Sequence, residues 1–153
     1  MATKKKSLDW SLAPAPESKD HVKINEQYEL FIGGKWVKPK SGKYFDTINP
    51  ANEQKLARIA EAGEADVDAA VKAARKAYDT VWRKMPAAER GKYVYRIARL
   101  LQEKAREFAV IESMDGGKPI RESRDFDIPV AAAHFFYYAG WADKLGYAFP
   151  NRP

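Results

Sequence analysis

The stretch Glu112–Lys144, ESMDGGKPIRESRDFDIPVAAAHFFYYAGWADK, holds the signals that decide the fold. It opens with a break, Asp115-Gly116-Gly117-Lys118-Pro119, set between two helix-like patterns. Glycine accepts the left-handed conformation that ends a helix, and proline pre-sets the first turn of the next. The stretch closes on the densest aromatic cluster of the chain, Phe135, Phe136, Tyr137, Tyr138 and Trp141. Four successive aromatics project around more than half of a helix circumference, so this helix must be covered on several sides. The spacing predicts a helix that carries Phe126, Val130, Ala133, Tyr137 and Trp141. Pro129 lacks a backbone donor and should kink it or leave its first turn ragged.

Upstream of the break the helical period runs back to Glu64. Phe108 and Ile111 belong to the helix that ends at Asp115. Before it, Tyr93, Val94, Ile97, Leu100 and Leu101 form the expected buried face of a helix opened by Pro86. Val67, Ala70, Val71, Ala74 and Tyr78 form the stripe of another, from Glu64 to about Val81. Glu64, Asp66 and Asp68 supply its first turn with the negative charge that the helix dipole favours. Ahead of Glu64 the period shortens. Tyr28–Ile32 and Lys35–Val37 flank Gly33-Gly34, a hairpin signal. Tyr44–Ile48 reads as extended and stops at Asn49-Pro50, and Gln54–Ala60 reads as a further strand.

The expected fold is therefore mixed α and β: a short antiparallel β-meander over residues 28–60, then about four helices in a layer over 64–145. Residues 1–26 mix Ser, Pro, Ala and charge without period and read as an arm that is flexible or packs loosely on something else. The last residues, from Gly146, read as extended or loose, with 150–153 as a truncated end.

Composition narrows the function. At 153 residues the chain can hold one domain with a core, and no apolar run approaches the roughly 20 residues of a membrane span. With no cysteine, these residues offer neither a disulfide frame nor a thiolate, and His21 and His134 are too few for a zinc cluster. A cytoplasmic setting is the default. The net charge of +6 is concentrated at the start, where residues 1–45 carry nine Lys against five acidic residues. That leaves a nearly balanced body, unlike a nucleic-acid-binding face, and Lys4, Lys5 and Lys6 read as a solvated tail. Gly116-Gly117-Lys118 lacks the spacing of a phosphate loop, and no dinucleotide fingerprint or serine-hydrolase elbow occurs. A lone His134 among Ala and aromatics reads as a core or interface residue. Asp125 and Asp127 read as helix-start signals, since on a helix they point apart.

Taken in order, five motifs resemble the N-terminal part of the aldehyde dehydrogenase family. They are FIGGKWVKPKSGKYFDTINPAN, DVDAAVKAARKAYD, WRKMPAAERGKYVYRIARLLQE, ESMDGGKPIRES and FFYYAGWADK, and together they span about Tyr28 to Phe149. The resemblance implies an enzyme far longer than this chain, which oxidises aldehydes to acids with NAD or NADP. Its catalytic Cys, general-base Glu and nucleotide domain would lie downstream. It also implies that Thr47, Ile48 and Asp115 form a monovalent-cation site for sodium or potassium, although Asp115 could equally be no more than a helix end. Phe126 and Val130 would line the substrate-entry tunnel, or would otherwise be plain core. Tyr137, Tyr138 and Trp141 would pack between the nucleotide and catalytic parts. The chain alone is then expected to be inactive and to associate with the rest of an enzyme or with itself. The competing expectation is a catalytically inert helical module that docks onto a full-length relative.

Overall fold

A computed structural model describes residues 17–150. Strands come first and helices follow, as the change of period predicts. β1 (Gln27–Tyr28), β4 (Tyr44–Ile48) and β5 (Lys55–Ala60) form one sheet in the order β1-β5-β4. β2 (Leu30–Ile32) and β3 (Lys35–Val37) form a separate antiparallel hairpin. Gly33 and Gly34 both take positive φ, 61° and 81°, which a two-residue turn matched to the strand twist requires.

The strands differ from a simple meander in one respect. Tyr28–Ile32 is not one strand, because the chain changes sheet at Glu29, whose carboxylate accepts the Tyr44 hydroxyl at 2.8 Å. β1 then runs parallel to β5, with Gln27 opposite Arg58 and Tyr28 opposite Ile59. β4 and β5 pair antiparallel, with an irregularity between Thr47 and Ile48.

The helices are α1 (Glu64–Thr80), α2 (Ala87–Glu103), α3 (Ala105–Gly116), a single turn α4 (Ile120–Glu122), α5 (Ile128–Trp141) and a short α6 (Leu145–Ala148). Asp66 secures the start of α1. Its carboxylate accepts the Gly63 amide at 3.1 Å and the Lys40 amide at 3.2 Å, and the residue is only 4% exposed. Between α4 and α5, residues Ser123–Asp127 form a wide π turn, the irregularity that Pro129 foreshadowed. α6 falls where extended chain was expected.

The interior is built from small side chains. α2 packs on α5 along Gly91, Ala98, Ala132 and Ala139, all buried. Contact there is so close that a Cβ on Gly91 would lie 3.0 Å from the Ala139 carbonyl oxygen. This corrects the expected faces. Tyr93, Ile97 and Leu100 on α2 are exposed, as are Val67, Val71 and Tyr78 on α1. The positions facing inward on α2 are Gly91, Val94, Ala98 and Leu101, a neighbouring stripe of the same period.

Candidate functional site

The Asp-Gly-Gly break does more than end a helix. Gly117 adopts φ 70°, and its amide donates to the Ser113 carbonyl at 3.1 Å, closing α3. The turn rests on the Asn49-Pro50 corner, where a Cβ on Gly117 would come within 2.6 Å of Pro50 Cγ. This docking brings the last turn of α3 against the end of β4. The Thr47 hydroxyl donates to Asp115 Oδ1, across 68 positions of sequence. Of Thr47, Ile48 and Asp115, which the family resemblance groups as one site, Thr47 touches Asp115, and Ile48 is the exposed neighbour of Thr47 at the strand end. Behind the pair lies a pocket of about 230 Å³, walled by Ile24, Tyr28, Leu56, Ile59 and Ile111.

Phe126 and Val130 sit a few residues beyond the break. Phe126 lies in the π turn and is 64% exposed, while Val130 is half-buried early in α5. The turn is tied down by charge. Lys118 Nζ reaches Asp127 Oδ2 at 2.5 Å, and that bond holds the lysine above its usual range. Arg124 grips Asp125 with Nε at 2.7 Å and Nη2 at 3.0 Å, which holds the Asp125 carboxyl low. Asp125 and Asp127 therefore engage different cations and do not act as a carboxylate pair. His134 is exposed on α5. Sequence reasoning missed the Lys118–Asp127 bridge because its partners are nine positions apart across a turn, where no periodic rule applies. Among the described residues, no three or more His, Cys, Asp or Glu side chains gather as a metal cluster.

Comparison with known proteins bears on the family of the chain. The profile described as "Aldehyde dehydrogenase family" matches residues 36–151. This chain belongs to the aldehyde dehydrogenase family. An aldehyde dehydrogenase of Alternaria alternata is 44% identical over 116 residues, covering 76% of this chain and 23% of that protein. Aldehyde dehydrogenase 1A1 of Gallus gallus is 40% identical over 136 residues, covering 88% and 26%. Among solved structures, the aldehyde dehydrogenase of Bacillus cereus in its NAD+ complex superposes with a TM-score of 0.74 at 44% identity, covering 77% of this chain and 24% of that one. The chain thus spans about a quarter of the length of the relatives it matches, and it corresponds to the N-terminal part of an aldehyde dehydrogenase.

As an aldehyde dehydrogenase segment, the chain leaves a large apolar surface open. On α5 and beyond, Tyr137, Tyr138 (64%), Tyr147 and Phe149 are exposed, and Tyr137 stacks edge-on to Tyr138 at 5.2 Å. On α1 and α2, Val71 is 61% and Leu100 55% exposed. Among the described residues no helix is long and apolar enough to cross a membrane.

Proposed function

We propose that this chain is one wall of an enzyme that oxidises aldehydes to carboxylic acids with NAD or NADP, and that its 153 residues do not perform the reaction unaided. The observation that carries the reading is the open apolar surface on α1, α2 and α5, in a chain matching a quarter of its relatives. Fully exposing a large apolar side chain forfeits about 1.5–3 kcal/mol, so several such residues together call for a cover. The remainder of an aldehyde dehydrogenase, or a second copy of the chain, supplies it. The attacking thiolate and the nucleotide site belong to that remainder, since these residues contain no cysteine and no dinucleotide fingerprint. A cytoplasmic setting is part of the same proposal.

Within that enzyme, Thr47, Ile48 and Asp115 hold a sodium or potassium ion. Asp115 and Thr47 already touch and present only oxygen, the donor type such hard ions take, so the residues fit. When bound, the ion supplies positive charge that ties the α3 end to the β4 end. Phe126 and Val130 face the incoming aldehyde, with Phe126 offering an uncovered ring beside the approach.

The test is complementation. A Bacillus cereus aldehyde dehydrogenase lacking its matched segment is mixed with this chain, and NADH formation from acetaldehyde is followed by absorbance. Neither piece alone should turn over, and the mixture should. Turnover by the chain alone would overturn the proposal, as would a mixture that neither associates nor reacts. Binding to an intact relative, without rescue of the shortened one, would instead establish an inert docking module.

A further inference from the structure

We infer that residues 17–26 form a strap, clasped by Glu17, which closes the outer wall of the Thr47–Asp115 pocket and lifts when the clasp is broken. Both ends of the strap are fastened, by different means. At its far end the Glu26 carbonyl accepts the Arg58 amide at 2.9 Å, and Gln27–Tyr28 continues as β1 beside β5. At its near end the Glu17 carboxylate is seated between two guanidiniums. Arg106 Nε donates to Oε1 at 2.5 Å, and Arg124 Nη1 stands 3.6 Å from Oε2. The Glu17 side chain is only 10% exposed, although the Arg106 side chain beside it is 62% exposed. The Arg106 bond, opposed by burial, leaves the Glu17 carboxyl below its usual range.

Between these fastenings the strap is lightly held. Ser18, Lys19, Asp20, His21, Lys23 and Asn25 are exposed, and only Val22 and Ile24 turn partly inward. Ile24 is the strap's contribution to the pocket, where it joins Ile111 and the Thr47–Asp115 pair. A segment with few buried contacts opens locally at little cost, so its position depends on its end fastenings. The β1 end is held by backbone pairing. The Glu17 end is held by its charged hydrogen bond to Arg106 and its ion pair with Arg124, which salt or substitution weakens. The inference concerns access to the pocket and does not depend on which ion or enzyme the pocket serves.

The absence of cysteine from the full chain makes the test clean. A single reporter, Ile111→Cys, is placed in the pocket wall, and its rate of labelling by a thiol reagent is measured. A control reporter, Ala109→Cys, occupies a fully buried position on α3. Glu17→Gln should quicken labelling at position 111 about two- to fivefold, the range of a part-exposed ion pair. Arg106→Gln should do the same, and the double variant should add little. Labelling at position 109 should not change. Amide exchange at Arg58, whose partner lies on the strap, should rise in the same variants without any cysteine present. Unchanged rates at position 111 and Arg58 would overturn the strap, and so would equal acceleration at positions 111 and 109, which reports general loosening.

Discussion

Replacing Gly117 by Ala should be far more damaging than its place in an exposed turn suggests. Two costs add. The residue holds φ 70°, where a side chain clashes with its own backbone at about 1–2 kcal/mol. The new Cβ would also stand 2.6 Å from Pro50 Cγ and 3.4 Å from Pro50 Cβ, well inside van der Waals contact. Pro50 is a ring on a fixed corner and cannot rotate away, so the turn must shift, at a further cost of about 1–3 kcal/mol. The sum is about 2–5 kcal/mol, and the displaced α3 end carries Asp115 away from Thr47. Two neighbouring changes calibrate the reasoning. Gly34→Ala meets a positive φ of 81° but open space, so it should lose only the backbone share, about 1–2 kcal/mol. Gly116→Ala lies inside α3 with only the flexible Glu112 carboxylate nearby, and should gain about 0.5–1 kcal/mol. Urea unfolding followed by far-ultraviolet circular dichroism ranks the three by midpoint. If Gly117→Ala were no worse than Gly34→Ala, the docking of the break on Pro50 would be wrong.

Gly91→Ala should destabilise by about 1 kcal/mol despite the better helix propensity of alanine, because the added Cβ meets the fixed Ala139 carbonyl at 3.0 Å; the same unfolding assay reads it. Thr47→Val removes the hydroxyl donated to Asp115 and should cost about 0.5–1.5 kcal/mol, with a second readout in the complemented enzyme as an altered dependence on sodium and potassium. Lys118→Met should lower stability in a pH-dependent way. The partner raises the lysine above its ordinary value of 10.5, so the bridge is fully present below that value and is lost as pH rises through the raised one. Melting temperatures of wild type and Lys118→Met should therefore differ by a steady margin at neutral pH and converge in strong alkali, and a margin that grew with alkali would refute the bridge.

What the sequence discloses divides along local and non-local lines. The glycines at 33, 34 and 117 each take the positive φ their turns require, because a turn is decided by the few residues within it. The four principal helices begin and end within a few residues of expectation for the same reason. The parallel partnership of β1 with β5 is not legible, since nothing near Tyr28 points to Ile59, and Glu29 breaks the run only through Tyr44, fifteen positions on. The meeting of Thr47, Ile48 and Asp115 follows from the family resemblance; local pattern offers only a strand end and a helix end. The clasp at Glu17 and the bridge from Lys118 have no sequence signal at all.

The misplaced faces of α1 and α2 say most about the molecule. The stripes Val67-Val71-Tyr78 and Tyr93-Ile97-Leu100 have a sound helical period, and yet both lie open while alanine and glycine turn inward. A helix that is the outer layer of a complete domain buries its large apolar side chains and exposes polar ones. Here α2 presents small residues to α5 on one side and leaves Tyr93, Ile97 and Leu100 exposed on another, and α5 does likewise with Tyr137 and Tyr138. A helix apolar on more than one side belongs in the interior of a larger structure. The period of a stripe identifies which residues require burial, but it cannot identify the surface that buries them. In this chain the close α2–α5 contact uses the small residues, and the large ones stay exposed, the face that the proposed function assigns to the rest of an aldehyde dehydrogenase.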